Sequence, residues 1–113
     1  MLDYIIVGSG LAGISFSEFA LKNNKKIVVL ACPSIQDLIA RKKEGKKMKF
    51  SFQMEDLAKK NNWIYIDLLE GFYKQSKDWN GLFLSCDGHF SKEGHQLATD
   101  IVLQNEEYKN LLK

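Results

Sequence analysis

Both histidines of the chain lie in one short stretch, Ser85-Cys86-Asp87-Gly88-His89-Phe90-Ser91-Lys92-Glu93-Gly94-His95. Asp87 stands two residues before His89, and only a glycine separates them. A carboxylate beside an imidazole orients the ring and stabilises its protonated form, as a general base in acyl transfer requires. Asp87 and His89 are therefore a candidate acid and base. The alternative is a plain turn, with Ser91 as the N-cap of the next helix and both histidines in solvent.

A second candidate site is the glycine-rich turn Gly8-Ser9-Gly10-Leu11-Ala12-Gly13, which directly follows an apolar run. In this GxGxxG pattern, Gly8 makes the tight turn, Gly10 lets a pyrophosphate approach the backbone, and Gly13 allows close packing of helix on strand. The N-terminus of the following helix offers free N–H groups to a phosphate. The pattern predicts a dinucleotide or another phosphate ligand at Gly8, Gly10 and Gly13. A helix start with a structural role alone is the alternative.

The composition indicates one soluble globular domain over residues 1–113, with 45% hydrophobic and 27% charged residues. A net charge of +2 is too small to indicate nucleic-acid binding. Glycines interrupt the N-terminal apolar run and no basic segment precedes it, so neither a signal peptide nor a membrane span is expected. Cys32 and Cys86 lack metal-ligand spacing, which favours buried or half-buried thiols in a reducing compartment and leaves a disulfide open. We predict a cytoplasmic protein without a metal site.

Short apolar runs alternate with helical patterns along the chain. Strands are predicted at residues 4–7, 27–30 and 63–68, with a further apolar segment at 82–84 before the histidine stretch. Helical patterns cover about 11–22, 35–43 with Ser34 as N-cap, 51–58, and one long C-terminal helix to residue 112. Residues 69–73 predict a short helix or turn. The basic stretch 41–49 is interpreted as a solvated loop, with an anion or partner site as the alternative.

This alternation predicts an α/β fold, a small three-layer flavodoxin-like or Rossmann-like domain with a parallel sheet of at least three strands. So small a sheet leaves strand edges exposed, and a homo-oligomer that pairs through those edges would cover them. No internal repeat is apparent in the sequence. We expect neither nucleic acid nor a membrane as a partner.

The first part of the chain, residues 1–30, resembles the N-terminal βαβ unit of FAD-dependent oxidoreductases. The resemblance rests on Asp3-Tyr4-Ile5-Ile6-Val7-Gly8-Ser9-Gly10-Leu11-Ala12-Gly13. It implies FAD at the three glycines. The acidic residue that ends the second strand in that family is absent, because the chain continues as Ala31-Cys32-Pro33. The family's flavin-contacting segments are absent as well, so a complete oxidoreductase is not expected.

The remainder, residues 26–113, resembles the C-terminal half of SGNH (GDSL-type) hydrolases. The resemblance rests on the strand at 27–30 with Cys32-Pro33-Ser34, on residues 63–68, and on the stretch from Asp87 to His95. It implies that Asp87 and His89 are the acid and base of a Ser-His-Asp triad. The Gly-Asp-Ser nucleophile block and the oxyanion blocks of that family are absent, and Ser9, which follows the first strand, is the tentative nucleophile.

Together, the two resemblances predict a chimera: residues 1–30 from a dinucleotide-binding unit and residues 31–113 from a hydrolase half. Such a domain would carry the Asp–His part of an ester-hydrolase site with little or no catalysis. A weak serine esterase with His89 as base, and a module that binds FAD or a phosphate anion at Gly8 to Gly13, are the alternatives.

Overall fold

The structure is a computed structural model that describes residues 18–25, 27–48, 51–111 and 113, together with the backbone of residues 4–7. Its elements, in chain order, are β1 (Tyr4–Val7), the helical residues 18–22 (α1), β2 (Ile27–Ala31), α2 (Ile35–Glu44), α3 (Ser51–Lys60), β3 (Ile64–Asp67), α4 (Leu68–Gln75), a 3-10 turn (Asn80–Leu82), α5 (Lys92–Gln104) and α6 (Glu106–Leu111). The strands predicted near residues 4, 27 and 63 and the helices predicted from residues 35 and 51 are confirmed. Residues 11–17 of the first predicted helix lie outside the described residues.

The prediction of a small three-layer, flavodoxin-like or Rossmann-like domain with a parallel sheet of at least three strands is wrong for the described part of the chain. The fold is mixed α/β, but the strands whose side chains are also described, β2 and β3, make a sheet of two parallel strands. The backbone of β1 runs beside β2, with Tyr4 opposite Ile27, and the strands follow in chain order. Doubly wound folds instead reverse their strand order at a switch point. The physical reason is that residues 82–84 fold into a hairpin and add no strand to the sheet.

Helices cover both faces of β2. Successive side chains of a strand point to opposite sides of the sheet, so the apolar residues of β2 enter two separate clusters. Val28 belongs to one buried cluster, which α2, α4 and α5 complete with Leu38, Leu69, Phe72 and Ile101. Ile27 and Val29 belong to a second cluster, which α1 and α3 complete with Ala20, Met54 and Ala58. A strand that is buried on both faces reads as a continuous apolar run, and this explains the sequence of β2.

Two of the helices, α1 and α3, end with the same asparagine cap. The side chains of Asn23 and Asn61 each donate a hydrogen bond of 2.8 Å to the carbonyl four residues earlier. Asn24 and Asn62 then adopt the left-handed conformation, with φ of 53° and 56°. Asparagine tolerates this region because its short polar side chain can bond locally. The chain therefore repeats a helix–cap–strand unit, and both asparagine pairs lie where the sequence predicts the helix to end.

The C-terminal helix is shorter than predicted. The helix α5 ends at Gln104, and Asn105 begins α6 because its Oδ1 accepts a hydrogen bond of 2.9 Å from the backbone N–H of Tyr108. Glu106 and Glu107 follow in the first turn of α6, where negative charge is favourable. The single predicted helix is therefore two helices with a cap between them.

Helix α2 includes the first residues of the basic stretch, so the prediction of a solvated loop is wrong for residues 41–44. Helix α2 continues through them until Gly45, whose φ of 67° is left-handed. The side chain of Arg41 donates to Glu70 (Nε–Oε1 2.6 Å) and stacks on the ring of Tyr73 at 4.5 Å. The Nζ of Lys42 lies 5.8 Å from the ring centre of Trp79. Part of the basic stretch thus holds α2 against α4.

Among the described residues, no helix combines the length and the apolar character that crossing a bilayer requires. In the same residues, no group of His, Cys, Asp and Glu is arranged to hold a metal ion.

Candidate acid–base site

Residues 82–91 form a short hairpin between the 3-10 turn and α5. Its two sides are joined by the Leu84 N–H to His89 O hydrogen bond (2.7 Å), the Phe83–Phe90 antiparallel bridge and the Ser91 N–H to Leu82 O hydrogen bond (2.9 Å). The tip carries Gly88 with a φ of 77°, which glycine adopts without steric cost. The hairpin therefore presents Asp87 and His89 at its tip.

Asp87 binds His89 with both of its carboxylate oxygens. Oδ2 lies 3.0 Å from Nδ1 of the ring, and Oδ1 accepts a hydrogen bond of 3.1 Å from the backbone N–H of His89. A neutral imidazole that donates from Nδ1 has its lone pair on Nε2. The structure thus brings together the two residues that the sequence singles out, and their catalytic role stays a prediction.

The environment of the pair is open to solvent. The side chain of His89 is 78% exposed and that of Asp87 is 50% exposed. The pKa of Asp87 is lowered, first by the hydrogen bond from the His89 backbone N–H and then by the hydrogen bond from the ring. Asp87 is therefore a carboxylate at neutral pH, and it can stabilise positive charge on the ring while Nε2 faces water.

The base of the hairpin is anchored in the core by Phe90. Its ring packs against Phe72 and Phe83, at centroid distances of 5.1 and 5.6 Å, and meets the ring of His95 edge-on at 5.6 Å. Because Phe90 directly follows His89, this packing fixes the backbone from which the imidazole extends.

Ser91 fixes the same end of the hairpin by hydrogen bonds. Its hydroxyl accepts a bond of 3.1 Å from the backbone N–H of Gly94, which makes it the N-cap of α5, as the alternative interpretation of a plain turn predicted. The hydroxyl also donates to the carbonyl oxygen of Gly81 at 2.5 Å. Gly94 lies so close to the backbone of Leu82 that a Cβ would collide with its carbonyl oxygen. The start of α5 and the 3-10 turn are therefore tightly joined below the acid–base pair.

No serine hydroxyl in the described residues is hydrogen-bonded to His89. The described serines that make side-chain hydrogen bonds use them elsewhere: Ser34 with Asp37, Ser51 with Tyr65, Ser76 with Asp78 and Ser91 with Gly81. Ser9, the tentative nucleophile, lies outside the described residues, as do Gly8, Gly10 and Gly13. Their predicted roles in catalysis and in binding FAD or phosphate stay predictions.

An open groove of about 550 Å³ lies between the N-terminus of α2 and the hairpin, and of the acid–base pair it is lined by Asp87. Asp87 and Gly88 line one wall, and Ile35, Phe83 and Leu84 supply apolar surface. Side chains around a groove at the start of a helix and the tip of a hairpin can orient a small ligand.

The two cysteines form no disulfide with each other. Cys32 is half-buried and Cys86 is exposed at the groove. The expectation of buried or half-buried thiols is therefore confirmed for Cys32 and wrong for Cys86, because the predicted strand before Cys86 is replaced by a hairpin whose tip faces solvent.

Sequence reasoning missed what fixes the hairpin. The bond from Ser91 to Gly81 joins residues ten positions apart and has no local signature. The anchoring by Phe90 does have one, since it is the only apolar residue between Asp87 and Gly94 in an otherwise polar stretch.

No protein-family model matches the chain, and no solved structure matches it. The resemblances of residues 1–30 to FAD-dependent oxidoreductases and of residues 26–113 to SGNH hydrolases accordingly stay predictions from sequence.

Proposed function

We propose that the chain is a folded chimeric α/β domain which carries the acid–base half of an SGNH-type ester-hydrolase site, with little or no serine-hydrolase turnover. The observation that carries the proposal is the 3.0 Å contact between Asp87 Oδ2 and His89 Nδ1 in a ring that is 78% exposed. A carboxylate-bound imidazole with its lone pair on an accessible Nε2 can take a proton from a hydroxyl group or from water.

The low turnover follows from what surrounds the pair. No described serine hydroxyl is hydrogen-bonded to the ring of His89. The sequence blocks that would supply the oxyanion donors are absent, and loss of one such donor costs roughly a hundredfold to a thousandfold in rate. The ring also stands in water, where electrostatic stabilisation of a transition state is weak.

The geometry of the pair is tested by nitrogen NMR of the two imidazoles. We expect His89 to carry its proton on Nδ1 and Asp87→Ala to abolish that preference, because alanine offers no oxygen to accept the Nδ1 proton. The ring of His95 is the internal control and should not change. An unchanged His89 tautomer in Asp87→Ala would show that the pair does not form in solution.

The chemistry is tested with a fluorophosphonate probe, which labels activated serines, and with p-nitrophenyl acetate. We expect no labelled serine, and we expect any hydrolysis above the buffer rate to be lost in His89→Ala and kept in His95→Ala. Labelling of Ser9 or of another serine, lost in His89→Ala, would contradict the proposal and would support the serine esterase.

We also propose that the chain works in the cytoplasm and pairs with a second copy through the edge of β3. Support for the first is that Cys86 is an exposed cysteine without a disulfide, as thiols in a reducing compartment are. Support for the second is that β3, in the described sheet, has a strand partner on one side only. Light scattering measures the mass in solution, and a monomeric mass would contradict the pairing.

A further inference from the structure

The two histidines differ in what holds their rings. The ring of His89 is bound at Nδ1 by Asp87 at 3.0 Å and is 78% exposed. The ring of His95 meets Phe90 edge-on, and in the described part of the chain no carboxylate contacts it. Only His89 therefore combines a fixed proton position with an accessible lone pair on Nε2.

A lone pair on an accessible imidazole nitrogen is a nucleophile as well as a base. Since no described serine hydroxyl is hydrogen-bonded to His89, the ring need not act through a hydroxyl group. We infer that His89 Nε2 is itself the nucleophile in a slow hydrolysis of aryl esters, through an acyl-histidine intermediate. This inference rests on the proposed function, because it uses the same Asp87–His89 pair.

The reaction has two steps and needs only the ester and water. In the first step, the Nε2 lone pair of His89 forms a bond to the acyl carbon, the bond from that carbon to the aryl oxygen breaks, and the aryl group leaves as a phenolate. The ring is then an acyl-imidazolium, and its positive charge faces the carboxylate of Asp87. In the second step, water adds to the acyl carbon, the carbon–nitrogen bond breaks, a carboxylate and two protons leave, and the neutral ring returns.

The leaving group decides the substrate class. A phenolate leaves without a proton, whereas an alkoxide needs one from a general acid. Asp87 is ionised, since its hydrogen bonds to His89 lower its pKa, and it has no proton to supply. The chain should therefore act on aryl esters and leave alkyl esters intact.

The groove that Asp87 and Gly88 line, next to His89 in the chain, offers apolar surface to the aryl group of such an ester. Phe83 and Leu84 line it on the hairpin side, and Leu84 is 47% exposed, so an aromatic ring can cover apolar surface there. Ile35 faces them from the start of α2. Asp87 adds a negative charge to the wall, which disfavours esters with an anionic aryl group.

The experiment treats the full chain with p-nitrophenyl acetate, quenches it in acid and locates the acetyl group by peptide mass mapping. We expect acetyl on His89 in the wild type, less of it in Asp87→Asn, and none above background on His95. Hydrolysis should fall to the buffer rate in His89→Ala and in His89→Gln, whose amide retains a donor for Asp87, and should be unchanged in His95→Gln. Ethyl acetate should not be hydrolysed.

The outcomes separate this inference from the proposed function. If His89→Gln hydrolyses the aryl ester as fast as the wild type, while the His89 tautomer of the wild type shows the pair intact, the nucleophilic role is wrong and the acid–base pair stands. Acetyl on a serine, lost in His89→Ala, would overturn both. Hydrolysis of ethyl acetate at a comparable rate would overturn the assignment of the substrate class.

Discussion

Replacing Ser91 with alanine removes a hydroxyl that makes two hydrogen bonds at once. The bond from the Gly94 N–H caps α5, and the loss of such a cap costs about 1 kcal/mol. The bond to the Gly81 carbonyl joins α5 to the 3-10 turn, and its loss costs about 1 kcal/mol more. Ser91 is only 9% exposed, so water cannot readily replace either bond. We expect Ser91→Ala to lower the free energy of unfolding by about 2 kcal/mol.

The matched control is Ser34→Ala, at the N-cap of α2. Ser34 also accepts a hydrogen bond from the backbone of its helix, at 3.2 Å from the Asp37 N–H, but it is exposed and joins no second segment. This variant should lose about 1 kcal/mol, the cost of the cap alone. At about 4 °C per kcal/mol for a chain of this size, the two melting temperatures should fall by about 8 and 4 °C.

Urea unfolding followed by tryptophan fluorescence measures both losses. The slope of free energy against urea should stay constant, so that midpoints compare directly. Losses for Ser91→Ala and Ser34→Ala that agree within about 0.3 kcal/mol, a typical additivity error, would refute the contribution of the Gly81 bond. Ser91→Ala should also weaken the Nδ1 preference of His89 in nitrogen NMR, because it loosens the base of the hairpin, whereas Ser34→Ala should not.

Three further substitutions follow from close contacts and ionisable groups. Gly94→Ala should lower the free energy of unfolding in urea by more than about 2 kcal/mol, since the new Cβ meets a backbone carbonyl. Gly45→Ala, in open space at φ 67°, is the control and should lower it by about 1 kcal/mol. Equal losses would contradict the contact at Gly94. Glu70→Gln should lower the free energy of unfolding at pH 7 by less than Ser34→Ala does, and should match the wild type at pH 2. The reason is that the side-chain hydrogen bond from Arg41 lowers the pKa of Glu70, so the stabilisation by ionised Glu70 is lost as pH falls through that pKa. A loss of stability that persists at pH 2 would contradict this. Asp67→Asn should be at least as stable as the wild type at pH 7, because burial raises the pKa of Asp67 and its favourable protonated state is lost as pH rises. At pH 2 the substitution should bring no gain in the free energy of unfolding. A clear loss of stability at pH 7 would contradict the reasoning.

The helix starts and several helix ends could be predicted from the sequence, because they depend on side chains three or four residues away. Ser34 and Ser91 cap α2 and α5 as expected. The paired asparagines after α1 and α3 also marked real ends. Asn105, which is followed by two glutamates, is the same kind of helix-start signal. It predicts that the C-terminal helix is divided at this residue.

The parts that could not be predicted depend on residues far apart in the chain. The fit of Arg41 between Glu70 and Tyr73 joins positions 29 or more residues apart, so the basic stretch alone suggested a loop. The apolar run at residues 82–84 has the composition of a strand, but its partner is Phe90 across a tight turn. Asp87 and His89 are only two residues apart, so their contact could be predicted from the sequence more readily than the rest of the site.

The contact between Asp87 and His89 closes a ring of atoms within three residues. Closing so short a segment costs little chain entropy compared with bringing together distant parts of a chain. The pair is therefore a local contact, to which the packing of Phe90 and the bonds of Ser91 add a fixed base. Recombination could move such a unit between proteins without rebuilding the contact, whereas a nucleophile from another strand would have to be positioned anew.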